Sequence, residues 1–217
     1  MINLDPIAEK IRNALTAKYT ARERALQLSR DAIRHCANAI RALHRQEFAE
    51  AQALLSAARE LLAQLGQALA EHPDLRYGGF VHDAQKEYAE GTAVLAIVTG
   101  AVLPDPDELQ IGYAAYLNGL GEAAGELRRY LLDAIRRGDV SRCEELLAAM
   151  DDIYSVLITM DFPDSLTGGL RRTTDMVRGV LERTRGDLTM ALRQRDLETK
   201  LAAFEGELGS KRQGGRL

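Results

Sequence analysis

Apolar residues recur along almost the whole chain at spacings of three and four, the period of a helix with one buried face, and no window alternates apolar and polar residues over a strand's length. The first stretch opens with Asp5–Pro6, read as an N-cap followed by proline at the first helical position. Ile7, Ile11, Leu15, Leu26, Ile33, Ile40 and Leu43 then carry the helix to about His44. A second helix spans about Phe48 to Ala70, with Ala51, Leu54, Leu55, Ala58, Leu61, Leu62 and Leu65 on one stripe, and "EHPDLRYGGF" breaks it. A third runs from about Phe80 to Thr99. "LPDPDEL" is a connector with one helical turn after Pro106. A fourth runs from about Ile111 to Arg137 and stops at Gly138.

"SRCE" (Ser141–Glu144) matches a capping box opening a fifth helix that continues to about Met160. After "DFPDS" a last helix runs from about Asp164 to Leu208. Its stripe of Leu170, Thr174, Val177, Leu181, Thr184, Leu188 and Ala191 is heptad-like and shifts to Leu197, Leu201 and Phe204. The prediction is one all-α domain of six to seven helices over residues 1–208, with long N- and C-terminal helices whose ends pack against other subunits, and a disordered tail at 209–217.

Composition narrows the function. The chain has 217 residues, 46% of them hydrophobic, enough for a sizeable core. Aromatics are only 5%, with no Trp, which argues against a single-strand binder built on stacking platforms. Cys36 and Cys143 lie far apart without metal-ligand spacing, as in a reduced, cytoplasmic chain. The N-terminus shows no signal-peptide pattern, and the apolar run Ala93–Leu103 is too short to span a bilayer, so no membrane role is expected. Charge is segregated: residues 1–45 hold nine Lys/Arg against four Asp/Glu, and residues 87–161 hold five against fourteen. A basic arm beside an acidic middle suits a site that takes cations and, through them, polyanions.

Candidate chemistry lies in that acidic middle. "KEYAEG" places Glu87 and Glu90 three apart, and "GEAAGELRR" places Glu122 and Glu126 four apart. Such pairs lie about 60° and 40° apart around a helix axis, share a face, and repel by about 0.2–0.5 kcal/mol. Either both faces are solvated, with Glu126 paired to Arg129 and Glu90 to Lys86, or the four carboxylates converge on a hard cation such as Mg²⁺ or Mn²⁺. His82, about a turn before Glu87, is a weaker candidate base. No phosphate loop, catalytic triad or di-iron Glu-x-x-His pattern is present.

Four blocks in order resemble the translin family, and the carboxylate pattern is most similar to its nuclease member, translin-associated factor X. They are "LSRDAIRHCANAIRALHR" (28–45), "QKEYAEG" (85–91), "YLNGLGEAAGELRR" (116–129) with "RRGD" (136–139), and "PDSLTGGLRRTTDMVRGVLERTRGDL" (163–188). The resemblance implies an all-α fold of about seven helices and subunits assembled as an octameric shell around RNA, here a homo-octamer. It implies Mg²⁺-dependent cleavage of single-stranded RNA by Glu87, Glu90, Glu122 and Glu126. Glu122 falls where the nuclease member has aspartate. Arg22, Arg30, Arg34, Arg41, Arg45, Arg171, Arg172 and Arg178 are the candidates to position the RNA backbone. Two alternatives stand: a non-catalytic RNA-binding protein of the same fold, and an all-α nucleotide pyrophosphatase. The second fits less well, because its second motif is Glu-x-x-Asp and this chain has Glu-x-x-x-Glu.

Overall fold

A helix with one apolar stripe must cover that stripe with another element. In the computed structural model, which describes the backbone of residues 3–214 and side chains of residues 3–206, this happens helix against helix. The elements are α1 (Asp5–His44), α2 (Phe48–Ala68), a 3₁₀ turn (Pro73–Tyr77), α3 (Gly79–Thr99), α4 (Pro106–Leu109), α5 (Tyr113–Arg136), α6 (Cys143–Leu157), α7 (Asp164–Thr167) and α8 (Leu170–Gly214). The described residues contain no strand. Six helices carry the fold and two are single turns, so the all-α expectation holds.

α1 and α2 form an antiparallel hairpin. Leu43 meets the start of α2 around Ala51 and Leu55, while Ala25 and Leu28 share a second cluster with Leu65 and Leu69 near its end. The buried face of α1 is made of small residues, Ala25, Ser29, Ala32, Cys36, Ala39 and Ala42, with Leu28 and Leu43. This differs from the stripe predicted by its larger residues. Ile7, Ile11 and Leu15 are more than half exposed in the single chain, and Leu26, Ile33 and Ile40 sit at the edge of the buried face. Small side chains let α1 lie close against both α2 and α3.

α3 is the central element, packed on α1, α2 and α5, and it buries Val81, Ala84, Tyr88, Ala89, Glu90, Ala93, Val94, Ala96 and Val98. α5 comes closest at Gly119. A Cβ there would stand 2.6 Å from both the Ala89 methyl and the Lys86 carbonyl oxygen. α6 and α8 close the far side of α5. The predicted stripe of α8 is buried at Leu170, Val177, Leu181, Thr184 and Leu188, while Leu197, Leu201 and Phe204 stay exposed.

Several predicted ends differ. Leu4, not Asp5, is the N-cap of α1, and Asp5 is its first helical residue. The "SRCE" capping box does not form: Arg142, not Ser141, is the N-cap of α6, and the Ser141 hydroxyl donates to Asp139 Oδ1 (2.6 Å). The box lies in the connector, where Asp105 and Glu108 cap α4 reciprocally. Gly168 and Gly169, with φ of 62° and 85°, separate the turn at Asp164 from α8. At its other end α8 continues to Gly214, past the predicted stop at Leu208; of the predicted tail 209–217, residues 215–217 lie outside the described residues.

The Gly119 contact has a measurable consequence. Gly119→Ala should lose about 1–3 kcal/mol, because the added methyl meets backbone on α3. Gly125→Ala on the same helix meets nothing within 4 Å and should gain up to about 1 kcal/mol from helix propensity. Urea midpoints check both, and equal shifts would contradict the packing described.

Candidate metal centre

The close approach at Gly119 brings the two acidic pairs face to face. Glu87 and Glu90 stand on one face of α3, and Glu122 and Glu126 stand one turn and two turns beyond Gly119 on α5. One carboxylate oxygen from each of Glu87, Glu90 and Glu122 lies within 4.8 Å of the others. Three of the four predicted glutamates therefore form one cluster between two helices.

Glu126 is placed differently. Its Oε2 lies 2.5 Å from Nε2 of His44, at the last turn of α1, and 3.7 Å from Arg129. Its charge still reaches the cluster, since it helps raise the pKa of Glu90. The pairing of Glu126 with Arg129 read from the sequence is present. That of Glu90 with Lys86 is not: the ammonium instead bonds Glu122 Oε1 at 2.6 Å and stands 3.8 Å from Glu87.

Burial sets the electrostatics. Glu90 is 9% exposed, the one charged residue in the buried set of described residues. Burial, then the charges of Glu87, Glu122 and Glu126, push its carboxyl up to about 8. Burial also raises Glu87 above the usual carboxylate range. Glu126 moves the other way, held low by its bond to His44. Burial alone would lower the Lys86 ammonium, but its bond to Glu122 and the charges of Glu122 and Glu87 outweigh this and hold it high. The cluster thus carries more negative charge than its single ammonium balances.

The donor set fits a hard divalent cation. It offers three carboxylate oxygens and no soft ligand, which favours Mg²⁺ or Mn²⁺ over zinc or copper. Cys36 lies nearby on α1, but burial and then the charges of Glu87 and Glu90 push its thiol up to about 12, so it offers no thiolate.

The predicted arginines are dispersed. Arg22 pairs with Glu23, Arg34 with Asp31, Arg45 with Glu47 and Glu50, Arg171 with Asp161 and Arg178 with Glu182. Arg41 donates to Asn38 Oδ1. Arg30 and Arg172 are exposed and have no acidic partner among the described residues. His82 does not join the carboxylates. It lies against Gly168 in a separate cleft of about 690 Å³, which Tyr77 and Tyr113 also line. The sequence reading missed two neighbours of the site, His44 and the cross-helix role of Lys86. Neither has a spacing signal, since His44 is 82 residues from Glu126 and Lys86 is 36 from Glu122.

The Glu90 shift predicts a pH dependence. In metal-free buffer the folded protein holds the Glu90 proton up to about pH 8, while the unfolded chain releases it near the ordinary 4.5. Its contribution is full below 4.5 and is lost as pH rises to 8. Glu126 acts oppositely, contributing above its ordinary value and less as pH falls. Glu90→Gln should therefore flatten the loss toward high pH and be more stable than wild type at about pH 9. The margin should exceed about 1 kcal/mol, one pKa unit being worth about 1.4 kcal/mol. Denaturant titrations in EDTA at about pH 5 and 9 check this, and parallel losses in both proteins would contradict it.

Comparison with known proteins agrees with the fold. A model of the translin family matches residues 2–184. An uncharacterised protein of Methanocaldococcus jannaschii is 31% identical over 191 residues, covering 87% of this chain and 84% of that protein. The crystal structure of AfC3PO superposes with a TM-score of 0.80 at 35% identity, covering 87% of this chain and 98% of AfC3PO. The AfC3PO–duplex RNA complex matches with the same score and identity, covering 97% of that chain. Apo-NeC3PO, at 19% identity and a TM-score of 0.71 over 88% of this chain and 98% of its own, shares the fold. With a family match over most of its length and the same helical architecture, this chain belongs to the translin family.

Proposed function

We propose that this protein binds RNA within a homo-oligomer and cleaves it in a reaction that requires a divalent cation, as in the nuclease branch typified by translin-associated factor X. The observation that carries the proposal is the convergence of one carboxylate oxygen from each of Glu87, Glu90 and Glu122 within 4.8 Å, with the Glu90 side chain buried between the helices. RNA as ligand is supported by AfC3PO, a relative 35% identical whose complex with duplex RNA has been solved.

Glu87, Glu90 and Glu122 would hold Mg²⁺ or Mn²⁺, with Glu126 as the adjoining acidic group. A cation so held polarises a phosphoryl oxygen and lowers the pKa of water. The chain's own contribution is to pre-assemble the donors on two rigid helices and to keep one side of the site dry. The phosphate backbone would be positioned by arginines of α1, Arg30 and Arg41 with Arg22, Arg34 and Arg45, and by Arg171, Arg172 and Arg178. Local ion pairs on exposed arginines are worth little and exchange readily for phosphate. With few aromatics, recognition runs through backbone rather than bases.

The substrate assigned is single-stranded RNA, with a duplex of the same sequence as the comparison. A second reading, RNA binding without cleavage, is favoured by one contact: Lys86 already places a cation against Glu122.

Incubating end-labelled RNA with the protein separates the two. Cleavage should need Mg²⁺, stop in EDTA, and be lost in Glu90→Gln and Glu87→Gln while RNA binding persists. Binding should weaken as salt rises. RNA that is bound but intact with Mg²⁺ would establish the non-catalytic reading, and cleavage insensitive to EDTA would exclude this site as its source.

A further inference from the structure

The three-glutamate cluster leaves one interaction beside it without a task. His44 is the last residue of α1, and its side chain is 7% exposed. Nε2 lies 2.5 Å from Glu126 Oε2, and since an ionised carboxylate only accepts, Nε2 carries the hydrogen and donates it. The other ring nitrogen, Nδ1, is buried without a hydrogen-bond partner, and Asp133 Oδ2 stands 4.0 Å from it. The ring is tilted against Tyr130, with centroids 6.3 Å apart.

A buried imidazole with an orphaned nitrogen is costly, and an apolar side chain would fill the same space without that cost. The compensating feature is the short bond to Glu126. A glutamate side chain carries about 1.5–2 kcal/mol of rotamer entropy when free, so a fixed donor on a neighbouring helix defines where its carboxylate stands. Here that place is within electrostatic reach of Glu90.

We propose that His44 is a positioning residue of the metal centre: it holds the Glu126 carboxylate as the fourth acidic corner beside Glu87, Glu90 and Glu122, and so joins α1 to a site otherwise built on α3 and α5. This rests on the metal-dependent reading above. His44 acts through Glu126 rather than on substrate. The bond comes from Nε2, so the reach of the donor matters. A glutamine amide reaches the Nε2 position, whereas an asparagine amide reaches only as far as Nδ1.

The test measures Mn²⁺ affinity by electron paramagnetic resonance without RNA, and separately kcat and KM for RNA cleavage. The proteins are wild type, His44→Ala, His44→Gln, His44→Asn, Glu126→Gln and the His44→Ala/Glu126→Gln double variant. His44→Ala should weaken Mn²⁺ about 10–100-fold, the usual effect of removing a partner that orients a metal-site group. It should lower kcat with KM little changed. His44→Gln should restore both, His44→Asn should not, and His44→Ala should add little to Glu126→Gln. Should His44→Ala fail to fold, the glutamine and asparagine variants carry the comparison. Mn²⁺ affinity unchanged across the His44 variants, glutamine no better than asparagine, or losses that multiply with Glu126→Gln would each overturn the proposal while leaving the metal centre standing. A wild-type protein that binds no Mn²⁺ would overturn both.

Discussion

A carboxylate buried between helices loses its hydration, and the loss must be met by a proton, a hydrogen-bond donor or a cation. Glu90 is that group here. It lies on α3 with Glu87 one turn away and Glu122 opposite, and their charges add to the cost of ionising it. Lys86 answers part of the imbalance at Glu122 and Glu87, and His44 with Arg129 answers Glu126. The Lys86 charge also favours ionised Glu90, but burial and the three neighbouring carboxylates outweigh it. A divalent cation among the three carboxylates would offset the remainder, and the same site would then present positive charge to phosphate.

The helical frame makes this arrangement possible. α3 is covered by α1 and α2 on one side and by α5 on the other, so an acidic residue on it can be both central and dry. Alanines on α1 and a glycine on α5 allow the close approach. Helices of this length hold donors in place better than loops do, which matters for a site whose ligands repel one another. The exposed apolar residues of α1 and α8 lie away from this centre, toward the ends of the two long helices.

Much of this was legible in the sequence, and the limits have physical causes. Helical periodicity located six main helices, because each carries a stripe that must be buried. The same reasoning misplaced the buried face of α1, since large residues weigh most in such a pattern while Ala32, Ala39 and Ala42 do the packing. The capping box at Ser141 failed because the helix begins one residue later than the box requires, with Arg142 as N-cap, which leaves the Ser141 hydroxyl to donate to Asp139. Glu87, Glu90, Glu122 and Glu126 could be paired within their own helices by spacing alone. That α3 faces α5 could not be read, since it depends on the Gly119 contact. His44 was invisible for the same reason: its partner lies on another helix, with no periodic relation to it.

The most direct measurement is the anomalous diffraction of crystals soaked in Mn²⁺. A peak is expected between the carboxylates of Glu87, Glu90 and Glu122, with Lys86 withdrawn from Glu122. Crystals that show no peak there at saturating Mn²⁺, and keep Lys86 bonded to Glu122, would contradict the proposed metal centre.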